Sequence, residues 1–179
     1  LNTMYGISEK DFLSAELEAV PAFKARNVGF DESFVGAYGQ DDRVCAFTAL
    51  ESILKIEAPQ RTAVCLLVDK EEIGSVGNTG MLSTFFEMTL AEMLEKEQGS
   101  CSVTAMNRMI RNSACLSSDV GAAVDPNYEQ VFEKQNAAFA GHGMVLMKYT
   151  GSRGKSGASD ASAEFVSAIA RILDKEKVI

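Results

Sequence analysis

Three acidic positions are notable for where they fall along the chain. Asp41, followed by Asp42, comes just before a segment with helical periodicity, Glu71 and Glu72 come just after an apolar run of strand length, and Asp119 follows another such run. Divalent cations of hard or borderline character need ionised oxygen or nitrogen ligands. Carboxylates delivered from separate loops can hold two such ions a few ångströms apart, with one carboxylate shared between them. Taken one at a time, each position also has an ordinary structural explanation. Asp41-Asp42 can cap the following helix, where a carboxylate satisfies free amides and the macrodipole. Glu71-Glu72 can be a solvated turn, and Asp119, close to Gly121, can be a turn former. Residue type and position alone leave both readings open.

The elements that must position these groups follow from periodicity. Val44, Phe47, Leu50 and Leu54 recur at helical spacing and predict a helix from Asp42 to Ile56, with Pro59 stopping it. Thr62 to Val68 is an apolar run too short for a typical helix and suited to a buried strand. Leu82, Phe86, Leu90 and Met93 mark an amphipathic helix ending near Gly99, and Val103 to Arg111 forms another. Ala114 to Ser118 and Met144 to Tyr149 read as strands, and Phe165, Ile169, Ile172 and Leu173 place a last helix. Near the start, Ser8-Glu-Lys-Asp11 can cap a short helix, and Pro21 ends whatever follows it. Gly151 to Gly157 reads as a mobile loop. Strands alternating with helices predict an α/β layer with a mostly parallel central sheet flanked by helices, whose ligands gather beyond the carboxyl ends of the strands.

The 179 residues, 46% of them hydrophobic, suit one domain with a real core. A net charge of −8 and a pI near 4.7 argue against nucleic acid or an anionic membrane as the main partner and suit a metal cation. No apolar run approaches the roughly 20 residues needed to span a bilayer. The opening Leu-Asn-Thr-Met lacks a signal-peptide pattern, so a cytoplasmic location is expected. Cys45, Cys65, Cys101 and Cys115 form no Cys-x-x-Cys pair and are expected to be reduced thiols, mostly in the core.

Longer strings carry more information than the single residues. Tyr38-Gly-Gln-Asp-Asp-Arg43 followed by Val-Cys-Ala, Val68-Asp-Lys-Glu-Glu-Ile-Gly-Ser75, and Ser117-Ser-Asp-Val-Gly-Ala-Ala-Val-Asp-Pro-Asn-Tyr128 resemble, in order and spacing, the signatures of the aminopeptidase I and aspartyl aminopeptidase family of dinuclear zinc metallopeptidases. Lys148-Tyr-Thr-Gly-Ser-Arg-Gly-Lys155 and Ala158-Ser-Asp-Ala161 resemble its bacterial branch.

The resemblance implies a zinc-exopeptidase-like catalytic domain, with residues 31–179 as part of it and residues 1–30 as a return from an inserted dimerisation domain. It implies that Asp41 bridges two metals, with Asp42 as its immediate neighbour behind that ligand and as the fallback for the role. Glu72 and Asp119 become terminal ligands of one metal each, and Glu71 becomes the general base. The cofactors implied are two divalent ions, zinc first, with manganese or cobalt as alternatives. Implied partners are peptide substrates with a free amino terminus and further copies of the chain in a homo-oligomer, dimer-based and up to a dodecamer.

The family also uses one histidine upstream of the Tyr38–Arg43 string and one far downstream, each a terminal ligand. The only histidine here, His142, lies between Gly141 and Gly143 and matches neither, so it reads as a loop residue. With both chain ends reading as cuts, the expectation is an internal segment that is inactive alone. Two other readings compete: a non-catalytic structural or assembly module on the same scaffold, and a related dinuclear carboxypeptidase or deacylase. Lys148, Arg153 and Lys155 can meet a substrate carboxylate or form a solvated basic loop, the latter favoured.

Overall fold

The computed structural model describes residues 1–149 and 159–178, which fall into two compact units, Leu1–Val44 and Cys45–Ile179. The first unit opens with a single helical turn, α1 (Asn2–Tyr5), closed by Gly6 in the left-handed region. A 3-10 helix, Glu9–Leu13, follows Ser8. The predicted cap is present: the Asp11 carboxylate accepts the Ser8 backbone N–H at 2.6 Å and the Ser8 hydroxyl at 2.8 Å. Strands β1 (Arg26–Val28) and β2 (Phe34–Gly36) then pair antiparallel, with Asn27 opposite Val35. Their turn relies on Gly29 at φ +96° and on the Asp31 carboxylate, which accepts the Ser33 N–H at 3.3 Å. Three-residue strands are too short to show a period of two, so this hairpin left no pattern in the sequence.

Helix α2 (Gln40–Leu54) begins in the first unit and continues into the second, where α3 (Phe85–Gln98), α4 (Val103–Arg111) and α5 (Ala163–Lys175) follow. Local chemistry sets their ends. Ser102 Oγ accepts the Ala105 N–H at 3.1 Å, Ser162 Oγ accepts the Phe165 N–H at 3.3 Å, and Gly99, left-handed at φ +77°, closes α3. The α3 helix starts at Phe85 rather than Leu82; the N–H groups of Leu82 and Ser83 bond the carbonyls of Ser75 and Gly80 in the turns that precede it. Helices α3 and α4 touch, and Leu94 on α3 is the buried hydrophobic side chain among the described residues.

The described residues therefore show helices with a small antiparallel sheet. Thr62–Val68, Ala114–Ser118 and Met144–Tyr149 form no ladder with one another; the remaining pairings are isolated bridges, Ala123 with Ala138 in parallel and Tyr149 with Asp160 antiparallel. A parallel strand is defined by neighbours brought alongside through crossover connections, so an apolar run of the right length is not enough. Leu66, Leu67 and Val68 remain exposed, and Leu66 and Leu67 line an open cleft of about 490 Å³ with Met81, Phe85 and Phe86. The accessible area is 15768 Å², close to twice the roughly 8,500 Å² expected for a folded chain of this mass. No helix among the described residues is long and apolar enough to cross a membrane. Cys45 and Cys65 are half-buried, while Cys101 and Cys115 are exposed free thiols and not core groups as expected.

Two outcomes follow from the caps. The Ser8 backbone N–H and then its hydroxyl hold the Asp11 carboxyl below its ordinary value. Because the folded value is depressed, this cap is fully formed above the ordinary carboxylate range and is lost as pH falls through the lowered value. A carbon-detected NMR titration should place the Asp11 midpoint below that of an unstructured aspartate, and Ser8→Ala should return it part of the way; an ordinary midpoint would contradict the cap. Ser102→Ala should cost α4 about 1 kcal/mol and speed amide exchange at Ala105 about fivefold.

Candidate metal centre

The string from Tyr38 to Arg43 follows β2 and is tied down by its own side chains. Gln40 Nε2 donates to the Val35 carbonyl at 3.1 Å, and the Arg43 N–H donates to the Gly39 carbonyl at 3.2 Å. The Arg43 guanidinium folds back over the Tyr38 ring, 5.6 Å from its centroid. Gly39, at φ +75°, makes room for this: a Cβ there would stand 3.0 Å from Arg43 Cζ. Asp41 (φ −86°, ψ 112°) and Asp42 (φ −114°, ψ 21°) depart from helical backbone, and the peptide bond between them is cis. Regular helical geometry in α2 resumes at Arg43, and both aspartates are exposed.

Glu71 and Glu72 sit in a more constrained loop. The Ser75 N–H donates to the Lys70 carbonyl at 2.7 Å and the Gly74 N–H to the Glu71 carbonyl at 2.9 Å, closing a tight turn around the pair. Lys70 (φ +66°) and Ser75 (φ +58°) at its two ends are both left-handed, a conformation that costs a residue with a Cβ about 1–3 kcal/mol and persists only where the surroundings impose it. The surroundings are an outer closure. The Asp69 N–H donates to the Thr79 carbonyl at 3.2 Å, and Thr79 Oγ1 donates to the Asp69 carboxylate at 3.4 Å. Gly80 is buried against the turn, so close that a Cβ would lie 2.2 Å from the Ser75 carbonyl oxygen and 2.4 Å from that of Val76. Neither type nor spacing marks Asp69, Thr79 and Gly80 singly; the repeated glycines at 74, 77 and 80 are the signal that a folded-back loop leaves.

Asp119 lies in an exposed irregular segment, its Oδ1 accepting the following Val120 N–H at 2.7 Å. The chain then pairs Val124 N–H with the Ala138 carbonyl at 2.8 Å and turns at Asp125, whose Oδ1 accepts the Asn127 N–H, also at 2.8 Å. His142 is the loop residue expected: its N–H donates to the Phe139 carbonyl at 3.3 Å, and its ring packs 5.8 Å from that of Phe139. Lys148 forms an ion pair with Asp160, while Arg153 and Lys155 lie outside the described residues, as does the loop expected at Gly151 to Gly157.

The donors at these positions are carboxylates, exposed at Asp41, Glu72 and Asp119. Ionised oxygens of this kind fit the carboxylate share of a divalent-cation site, and they are compatible with zinc, manganese or cobalt. Nitrogen donors usually complete a zinc site; the one imidazole of the sequence, His142, stands beside the Phe139 ring in its loop.

A family model described as "Aminopeptidase I zinc metalloprotease (M18)" matches residues 1–177, and the chain belongs to that family. It is 53% identical over 178 residues to a probable M18 family aminopeptidase 1 of Clostridium acetobutylicum, an alignment covering 99% of this chain and 38% of that protein. It is 30% identical over 151 residues to an aspartyl aminopeptidase of Caenorhabditis elegans, covering 80% of this chain and 31% of that one. Among solved structures, the M18 aminopeptidase of Thermotoga maritima superposes with a TM-score of 0.91 at 46% identity, covering 99% of this chain and 39% of its own. Aminopeptidase I of Clostridium acetobutylicum gives 0.85 at 52% identity, covering 98% and 37%. The chain thus spans about two fifths of the length of these close relatives.

The Gly80 contact yields a direct test. Gly80→Ala should force the loop apart at a cost of about 1–3 kcal/mol, with faster amide exchange at Asp69, Ser75 and Leu82. Unchanged protection at all three amides would mean that Gly80 does not pin the turn.

Proposed function

We propose that the whole protein containing these residues is a cytoplasmic dinuclear metalloaminopeptidase that removes the first residue from peptides with a free amino terminus. The observation that carries this is the family match over residues 1–177, within which all three acidic strings fall. With two metals bound, Asp41 would be the carboxylate they share, with Asp42 next to it in the chain, and Glu72 and Asp119 would each hold one of them. The ions are zinc, in keeping with the family's description. Residues 31–179 belong to a catalytic domain with a mostly parallel central sheet, and residues 1–30 return from an inserted dimerisation domain. The working form is a homo-oligomer built from dimers.

Two divalent cations held by these carboxylates would lower the pKa of a water and polarise the scissile carbonyl. Glu71 accepts a proton from that water on a carboxylate oxygen as the oxygen bonds to the carbonyl carbon. When the carbon–nitrogen bond breaks, Glu71 passes the same proton to the leaving amine nitrogen. A shuttle of this kind contributes about 10²- to 10⁴-fold in rate. The paired carboxylates divide the work, Glu72 toward metal and Glu71 toward the proton. The 179-residue chain by itself lacks the two histidine ligands used by the family, so it holds metal weakly and does not turn over peptide.

In the full-length protein, Glu71→Gln should lower kcat about 10²- to 10⁴-fold with zinc content unchanged. Retained turnover would mean that Glu71 is not the base, whereas a wild-type protein without turnover would leave the scaffold as a structural or assembly module. Assayed side by side, free peptides should be cleaved and amino-blocked ones rejected; cleavage of the blocked form would point to a carboxypeptidase or deacylase. Appreciable peptide hydrolysis by the purified 179-residue chain would contradict its assignment as an incomplete site.

A further inference from the structure

We propose that Thr79 and Gly80 are positioning residues for the Glu71–Glu72 pair, acting through the folded-back loop and touching neither metal nor substrate; this rests on the assignment of Glu71 as the proton-transferring base. The loop is built as two nested closures. The inner one, Lys70 carbonyl to Ser75 N–H, encloses both glutamates, and the outer one joins Asp69 to Thr79 through a backbone bond and a side-chain bond. Left-handed Lys70 and Ser75 stand at the two ends of the inner turn, so the direction in which Glu71 and Glu72 leave the backbone depends on dihedral angles that neither end residue adopts unaided.

What imposes those angles is the returning segment of the loop. Gly80 lies flat against the Ser75 carbonyl with no room for a methyl group, and the Ser75 carbonyl also accepts the Leu82 N–H at 3.1 Å. Thr79 is bonded to Gly80 and is clasped to Asp69, the residue immediately before the inner turn. A displacement of Thr79 or Gly80 is therefore passed to both ends of the turn: to Lys70 through Asp69, and to Ser75 through the Gly80 contact. A carboxylate that must exchange a proton with a water and then with a leaving amine tolerates little displacement, because proton transfer needs hydrogen-bond distance at both steps.

The test uses the full-length protein at saturating zinc, with Gly80→Ala, Thr79→Val and Thr79→Ser compared with wild type and with Glu71→Gln. The expected result is a fall in kcat of about a hundredfold for Gly80→Ala and about fivefold for Thr79→Val, with KM changed less than about threefold. The acidic limb of the kcat pH profile should move in both variants, and Thr79→Ser, which keeps the hydroxyl, should restore wild-type kcat and profile. Should Gly80→Ala fail to fold, the Thr79 pair decides. Wild-type kcat and an unmoved profile in Thr79→Val overturn the proposal, as does a Thr79→Ser variant as impaired as Thr79→Val. If Glu71→Gln itself remains active, the assignment of the base fails first and the positioning role falls with it.

Discussion

The candidate site depends on closures made within a few residues of each acidic group, because almost nothing among the described residues is held by burial. Leu94 is the buried hydrophobic side chain among the described residues, so order comes from hydrogen bonds of short sequence separation. Asp11 on Ser8, Ser102 on Ala105 and Ser162 on Phe165 set helix starts. The Asp69–Thr79 clasp and the Gly80 contact set the turn that carries Glu71 and Glu72. Bonds of this type fix a backbone locally at low entropic cost, since the loop they close is short.

The same property leaves much apolar surface without cover. Helix and strand faces patterned for a core, among them Leu66, Leu67, Phe85 and Ile172, remain exposed, and the accessible area is close to twice that of a folded chain of equal mass. Relatives of this chain are about two and a half times as long. An α/β layer is stable only when helices cover both faces of a sheet and each interior strand has two neighbours. The acidic loops are locally specified here, by bonds made within each loop and not by a sheet packed beneath them among the described residues.

This division explains what was legible in the sequence. Helices were, because their period, caps and stops all lie within the element: Val103–Arg111 has the bounds its pattern suggested, and Gly99 ends α3 as expected. The expected central sheet rested on apolar runs alone: Thr62–Val68 has the composition of a buried strand but forms no ladder among the described residues, because composition does not specify a pairing partner. The β1–β2 hairpin escaped because its strands are too short for a period. At the site, Asp41, Glu71, Glu72 and Asp119 cannot be told from caps and turns by type or position; what favours the metal reading is the ordered strings around them. Asp69, Thr79 and Gly80 were missed because their importance lies in a contact between chain segments that fold back on one another, and a glycine read in isolation does not reveal what its absent Cβ would strike.

The most direct measurement is a calorimetric zinc titration of the metal-free full-length protein, alongside Asp41→Ala, Glu72→Ala and Asp119→Ala. Two bound ions per chain are expected in the wild type, both weakened by Asp41→Ala, and only one weakened by each of Glu72→Ala and Asp119→Ala. A wild-type, two-ion titration in Asp41→Ala would contradict this, because a shared carboxylate cannot be removed without cost to both ions.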